Sequence, residues 1–396
     1  MALAHGVENA AGDDVFTVAV TDAQQFHGRF NEIFYAMDFL DIKDPLTDHL
    51  IDQVAPVANR LDREPAMLSS AFKKLGQSPE LAGWRTPKVP DGLGGLGFDA
   101  ESYGQFQSLI AQHSGALAFL LTQHQSAASL VLAGENEALK QTTLPAMATG
   151  EVCMGVGFSQ LRRQPPALVA QRVAEGYRLS GEVPWVSGSQ LFTAFVGGAV
   201  VRDTQDALFG LLPLVSTRCD GGEIVVSDPM ALCAVSATST VRVVLTNWLL
   251  PQNKVLGLRP AGWLATRDRA NPLSPLALMF GCTQASIASV RQSLARRHID
   301  HDMAERLAAQ LAKLRQELAQ TVVLPTSAYD QKLALRGKAI SLMNTAAQAA
   351  IISASGAANT LGHPAQRIYR ESLLFSVSGQ TNEGAIASLE SLTFYL

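Results

Sequence analysis

The most conspicuous chemical segment of the chain is a run of glycines, Pro90-Asp-Gly-Leu-Gly-Gly-Leu-Gly97. Glycines at G-x-G-x-x-G spacing cradle a dinucleotide pyrophosphate when they join a parallel strand to a helix. Here they follow Pro90 in a loop preceded by a helical pattern, so a nicotinamide site is set aside. The run reads instead as a tight turn that uses positive φ angles. The four cysteines, Cys153, Cys219, Cys233 and Cys282, lie far apart and form no C-x-x-C pair. That argues against a zinc site or a disulfide framework and leaves reduced core thiols. No G-x-S-x-G elbow, H-E-x-x-H helix or Walker loop occurs, so hydrolase and metalloprotease chemistry carries little weight and no metal is expected.

The elements that must position any site follow from composition and pattern. The 396 residues exceed one ordinary core, and at about 150 residues per domain they suggest two or three domains. Charged residues make up 17%, well below the roughly 25% of an average soluble protein, so much surface should be buried between domains or subunits and an oligomer is expected. With 31 basic against 35 acidic residues and a net charge of −4, no global field draws in nucleic acid or an anionic membrane. Neither is expected as a partner. Residues 1–16 contain Glu8, Asp13 and Asp14 but no basic segment leading into an apolar one, which implies a cytoplasmic location.

Three long stretches, 102–134, 271–290 and 339–366, carry no Asp, Glu, Lys or Arg. Gln112, His113, Gln123, His124, Gln284, Asn344 and Asn359 interrupt them at a cost no bilayer would tolerate, so they read as buried helices of a large soluble bundle. Helices are expected over 21–38, 46–61, 100–134 with a break, 274–298, 303–321 and 329–355. Between about 150 and 257 the runs shorten, become β-branched and are punctuated by Gly, Pro and Asp, the pattern of a small barrel or sandwich. The organisation is therefore an N-terminal helical domain over 1–149, a β domain over 150–257 and a C-terminal helical domain over 258–396. The first ~15 residues are expected to be frayed.

Several segments, in order, resemble the acyl-CoA dehydrogenase family. The glycine turn at 90–97 is similar to its P-E-x-x-G-G-L-G turn. Gly150-Glu-Val-Cys-Met-Gly-Val-Gly-Phe-Ser-Gln160 resembles the segment ending in Thr-Glu-Pro, with Ser159 at the threonine position and Gln160 and Leu161 replacing Glu and Pro. Tyr177-Arg-Leu-Ser-Gly-Glu-Val-Pro-Trp-Val-Ser-Gly188 resembles Y-x-L-x-G-x-K-x-W-I-T-N. Ser236-Ala-Thr-Ser-Thr-Val-Arg-Val-Val-Leu looks like the small-residue strand that precedes V-P-x-x-x-V-L-G, present as Leu250-Pro-Gln-Asn-Lys-Val-Leu-Gly257. Ala354-Ser-Gly-Ala-Ala-Asn359 and Tyr369-Arg-Glu-Ser372 resemble the late glycine-rich break and the Arg-Asp step. Together these cover about residues 85 to 381.

The resemblance implies an N-terminal α-helical domain, a middle β-barrel and a C-terminal four-helix bundle, with FAD between the last two. It places Ser159, Trp185, Ser187, Gln380 and Thr381 at cofactor-binding positions. A flavin needs a stacking face and hydrogen-bonding groups at its polar edge, and an indole with nearby hydroxyls is compatible with that need. The resemblance also places Leu121 and Gln125 along the acyl tunnel, where a buried Gln suits a polar or short acyl group better than a long alkyl chain.

The usual base departs from the pattern. In most members it is a Glu nine residues after the Arg of the Arg-Asp step, and here that residue is Gly379. Other members carry it seven residues before a small glycine, and counting back from Gly281 gives Ser274. Loss of a general base costs ~10²–10⁴ in rate. An insertion would bring Glu383 into the place of the missing carboxylate; Glu371 and Asp330 have weaker claims. The R-x-x-F-G loop that reaches the FAD pyrophosphate is also missing, with Arg296 and Arg297 as nearby substitutes.

The leading reading is thus an FAD-dependent oxidoreductase of acyl-CoA dehydrogenase type acting on a CoA thioester or related acyl substrate. A flavin-dependent monooxygenase of the same fold, which needs no α-proton base, is the alternative. A non-catalytic flavin- or CoA-binding or structural homologue is the third. The implied partners are electron-transfer flavoprotein, or oxygen with a flavin reductase, and further copies of the chain as a homodimer or homotetramer.

Overall fold

The computed structural model describes residues 45–392. The frayed start expected over 1–15 and the helix expected over 21–38 lie outside the described residues. Residues 45–61 form a succession of short turns, Pro45–His49, Leu50–Val54, Ala55–Val57 and Ala58–Leu61, in place of one helix. Pro56 sits in the middle of this run, and a residue with no N–H to donate interrupts regular helix pairing. Four helices follow: α1 (Pro65–Lys74), α2 (Ala100–His113), α3 (Gly115–Leu132) and α4 (Glu137–Thr149). The expected break in the uncharged stretch falls at Ser114. Its backbone turns extended, and its hydroxyl accepts from the Leu117 amide at 3.3 Å to cap α3.

The next strands are β1 (Met154–Gly157), β2 (Leu168–Val173), β3 (Gly176–Val186), β4 (Ala194–Val201), β5 (Ala207–Pro213), β6 (Thr217–Cys219), β7 (Gly222–Val226), β8 (Val241–Pro251) and β9 (Val255–Arg259). The β-barrel implied by the resemblance is not what they form. They make one open, mixed and mostly antiparallel nine-stranded sheet in the order β6-β7-β8-β3-β2-β4-β5-β9, with β1 paired to β4 off that path. One side of β4 is shared: β1 lies parallel to residues 194–197, and β2 reaches only Val200 and Val201. A barrel needs its two outermost strands to meet with a fixed stagger. The outermost strands here are β6, three residues in a tight hairpin with β7, and the five-residue β9, and they do not pair.

After the sheet come α5 (Trp263–Ala270), α6 (Leu276–Arg296), α7 (Met303–Val322), α8 (Tyr329–Ala354), α9 (Pro364–Val377) and α10 (Asn382–Leu392). α8 packs against α6, α7, α9 and α10, and α6 also packs against α2. At the α2/α6 crossing Gly281 is obligatory, because a Cβ there would collide with the Ser108 carbonyl and lie 2.7 Å from Ala111 Cβ. Small residues of this kind let two backbones approach closely. One continuous core joins the helices on both sides to the sheet, from Phe72, Ile110 and Leu117 through Phe195 and Val243 to Met279, Met343 and Phe375. Among the described residues, no helix is long and apolar enough to cross a membrane.

Candidate functional site

Trp185 stands near the end of β3. The pairing of β3 with β8 jumps from Val183↔Val243 to Val186↔Val241, so Pro184 and Trp185 together oppose Arg242 alone. A bulge of this kind re-aims a side chain, and the indole is 50% exposed in an otherwise inward-facing segment. Just beyond it the chain is held by a strap. Ser187 Oγ lies 2.8 Å from Thr240 Oγ1, and Thr240 Oγ1 lies 3.3 Å from Thr238 Oγ1. The Gly188 amide donates to the Thr238 carbonyl at 2.6 Å, and Ser189 donates to the Ser239 carbonyl from both its amide and its hydroxyl. Gly188 has φ +97°, and a Cβ there would lie 2.2 Å from the Phe192 ring, so no side chain fits. Phe192, Phe72 and His124 make an aromatic group behind the strap, with ring centroids 5.3 to 5.8 Å apart.

The strap spans residues 233–240, of which the family resemblance reads 236–240 as part of a strand. β8 begins only at Val241; Ser236–Thr238 is a single 3-10 turn flanked by Val235 and Ser239, both at positive φ. Non-glycine residues in that region cost roughly 1–3 kcal/mol each and persist where surrounding contacts over-determine them. The sequence signal for the strap is the run of hydroxyl residues at 236, 238, 239 and 240, a composition that suits local hydrogen bonding better than strand pairing.

Ser159 is exposed and begins the 3-10 turn Ser159–Arg162, which packs on β3. Gln160, at the position of the family glutamate, is buried. Its amide nitrogen donates to the carbonyls of Gly157 (3.0 Å) and Gly198 (2.7 Å), while its Oε1 has no partner. Such an unpaired buried acceptor is uncommon in native folds.

Both positions implied for the base come close together. A Cβ on Gly379 would lie 3.6 Å from Pro275, the neighbour of the exposed Ser274. What ties these loops is a cation. Buried Arg336 donates to the carbonyls of Pro272 (3.4 Å), Gly379 (3.2 Å) and Ser378 (2.8 Å) and to Gln380 Oε1 (2.9 Å). Burial pushes its pKa down. Thr381 accepts from the Gly384 amide at 3.0 Å and caps the start of α10. Gln380 and Thr381 are therefore occupied in holding their own loop. Glu383 is exposed and lines a cleft of about 740 Å³ between α7, α8 and α10, together with Asp330, Lys313 and Lys338. Trp185 is not among the residues lining that cleft.

Glu371 is fully buried and structural in its contacts, accepting from both sides of the α3/α9 junction. The Gly115 amide donates at 3.0 Å and Arg367 Nη1 at 2.8 Å to each oxygen. Burial outweighs these partners and moves its pKa up. Leu121 packs in the core. Gln125 is answered within the chain, accepting from the Lys88 amide at 3.0 Å and donating to Ser129 Oγ at 3.0 Å. Neither residue presents a free group to a ligand. Arg296 and Arg297 lie at the exposed end of α6, where Arg297 donates to the Ser353 carbonyl at 3.0 Å.

A family model of the acyl-CoA dehydrogenase N-terminal domain matches residues 39–151. A glutaryl-CoA dehydrogenase from Mycobacterium smegmatis, solved with FADH2, superposes with a TM-score of 0.71 at 16% identity, covering 92% of this chain and 97% of that one. The chain has the acyl-CoA dehydrogenase superfamily fold. The same fold is shared with KijD3, solved with FMN and a dTDP-amino-keto sugar, at TM-score 0.71 and 19% identity, covering 89% of this chain and 92% of that one. Very long-chain specific acyl-CoA dehydrogenase from Macaca fascicularis is 24% identical over 181 residues, a match that covers 43% of this chain and 28% of that protein. Within the acyl-CoA dehydrogenase superfamily fold, Asp62, Thr238, Thr240 and Arg336 are the polar groups around the candidate site that sequence reasoning did not single out. Each acts through a contact distant in sequence.

Proposed function

We propose that this chain is an FAD-dependent oxidoreductase of acyl-CoA dehydrogenase type, acting on a CoA thioester or a related acyl substrate. The observation that carries this reading is the half-exposed Trp185 indole, turned out by a bulge beside a locked hydroxyl strap. The residues present suit a flavin: Trp185 would supply the stacking face, and Ser159 and Ser187 would supply hydrogen-bonding groups. When bound, FAD supplies a hydride acceptor. Either hydroxyl of the Ser187–Thr240 pair can donate, and in the arrangement where Thr240 donates the Ser187 hydrogen is left for another acceptor. The aromatic group of Phe72, Phe192 and His124 excludes water behind the strap. Arg336 fixes the 378–380 loop, which carries Gly379 at the position the family resemblance assigns to the base.

Leu121 packs in the core and Gln125 is answered by the Lys88 amide and Ser129, so neither residue favours a polar acyl group over an alkyl one. In the dehydrogenase reading Glu383 is the candidate base, although the cleft it lines does not include Trp185; a fall in kcat of ~10²–10⁴ in Glu383→Gln supports that role and an unchanged kcat removes it. A specific observation favours a second reading, a flavin-dependent monooxygenase: where the family implies a carboxylate, Gly379 and Ser274 flank a loop pinned by a guanidinium. The redox partner would be electron-transfer flavoprotein in the first case and oxygen with a flavin reductase in the second.

One experiment separates them. The full chain is purified, its visible spectrum recorded, and a panel of acyl-CoA thioesters added without oxygen. Bleaching by a thioester supports the dehydrogenase. Bleaching only by a flavin reductase system, with oxygen uptake, supports the monooxygenase. Colourless protein that cannot be reconstituted with FAD overturns both.

A further inference from the structure

We propose that Asp62, on the helical turns that precede α1, is the positioning residue for the Trp185-Val-Ser187 segment, acting through the 233–240 strap. Its role in flavin binding rests on the function proposed above; its role in holding the strap does not. Asp62 is wholly buried, and three of its contacts fall on consecutive residues of the strap. Oδ1 accepts from the Val235 amide at 2.8 Å, and the Asp62 carbonyl accepts from the Ala237 amide at 3.0 Å and Ser236 Oγ at 3.3 Å. Oδ2 lies 2.6 Å from Arg370 Nη1, which also donates to the Cys233 carbonyl at 2.7 Å. That contact is an ion pair and not a directed hydrogen bond, since Oδ2 has no well-aligned donor.

The strap turns this anchoring into geometry. Val235 (φ 48°) and Ser239 (φ 47°) hold unfavourable backbone conformations on either side of its 3-10 turn, and such conformations relax when the contacts that impose them are removed. The residues between and beside them, Thr238, Ser239 and Thr240, make every strap contact to Ser187, Gly188 and Ser189 described above. Asp62 thus fixes the first half of the strap and β3 receives the second. A carboxylate is suited to the task because one oxygen accepts an amide while the other faces a cation.

The test is amide hydrogen exchange on the purified full chain, with FAD titration alongside. Asp62→Ala is expected to speed exchange about tenfold in the peptides covering 187–189 and 235–239, with exchange in α8 unchanged. Asp62→Asn keeps the Oδ1 acceptor and is expected to stay within about threefold of wild type. Unchanged protection at 187–189 in Asp62→Ala overturns the proposal, as does equal acceleration in α8, which would mean global loosening. Should Asp62→Ala not fold, Arg370→Gln is expected to raise exchange in the same two segments about threefold, and no change there overturns the proposal. In wild-type protein that binds FAD, Asp62→Ala is expected to weaken binding about tenfold and shift the flavin spectrum, with Asp62→Asn restoring both; unaltered affinity and spectrum overturn the link to the cofactor. Failure of the wild type to bind FAD counts against the flavin reading and leaves the exchange result to decide the role of Asp62.

Discussion

His124 shows how strongly burial acts on single residues here. It is fully enclosed, with Nδ1 3.0 Å from the Met154 carbonyl and 3.3 Å from the Met154 amide, and Nε2 3.3 Å from the Met147 carbonyl. A neutral imidazole meets only part of this set: Nδ1–H donates to the Met154 carbonyl, or Nδ1 accepts from the Met154 amide while Nε2–H donates to the Met147 carbonyl. Burial lowers its pKa from 6.5 to about 4. The folded protein therefore binds fewer protons than the unfolded chain between those values. The stability contributed is present above pH 6.5 and is lost as pH falls toward 4, by up to about 3 kcal/mol. Urea unfolding at a series of pH values should show this slope, and His124→Phe should flatten it while lowering stability at neutral pH. At the candidate site, Trp185→Ala is expected to weaken FAD about tenfold by removing the stacking face. Fluorescence titration checks it, and unchanged affinity would remove the indole from the site.

At the level of elements, the positions of the site residues come from irregularities rather than from regular secondary structure. The bulge in β3 turns Trp185 outward, the paired positive-φ residues shape the strap, and the Arg336 clamp sets the link between α9 and α10. Helix contacts set the frame around them. Gly281→Ala places a methyl against the Ser108 carbonyl at the α2/α6 crossing, and a destabilisation of about 3 kcal/mol is expected from overpacking against backbone. A lowered urea midpoint with an unchanged slope would show it, whereas a neutral substitution would mean the two helices can separate at little cost. The break in the stretch 100–134 was legible because its signal is local: Ser114 accepts an amide hydrogen bond as the N-cap of an apolar helix, and Asp99 caps the helix before it. The helix that Asn136 caps was not among those expected, because its residues alternate polar and apolar without a clear stripe. The barrel was misjudged because closure has no local signal: short β-branched runs read alike in open and closed sheets, and closure depends on whether β6 and β9 meet.

Across the whole molecule, apolar side chains remain uncovered in stripes. Leu373 and Val377 on α9 and Ile386 and Leu389 on α10 are each more than half exposed. Patches of this kind mark interaction surfaces, and with a charged fraction of only 17% they support the proposed homo-oligomer. Light scattering of the purified chain is expected to give a multiple of 42.2 kDa, and Leu373→Glu combined with Leu389→Glu should return it to the monomer mass. A monomeric wild type at micromolar concentration would end that reading. The sequence by itself determined the succession of helical, β and helical segments, the acyl-CoA dehydrogenase resemblance and the absence of a carboxylate at 379 and 274, because periodicity, turn chemistry and residue identity are local properties. Only the tertiary structure decided that the sheet stays open, that Gln125 and Glu371 are answered within the chain, and that Asp62 reaches the strap beside Ser187. Those outcomes depend on which groups meet across separations from 37 residues for Gln125 and Lys88 to 256 for Gly115 and Glu371, and folding alone brings them within hydrogen-bonding distance.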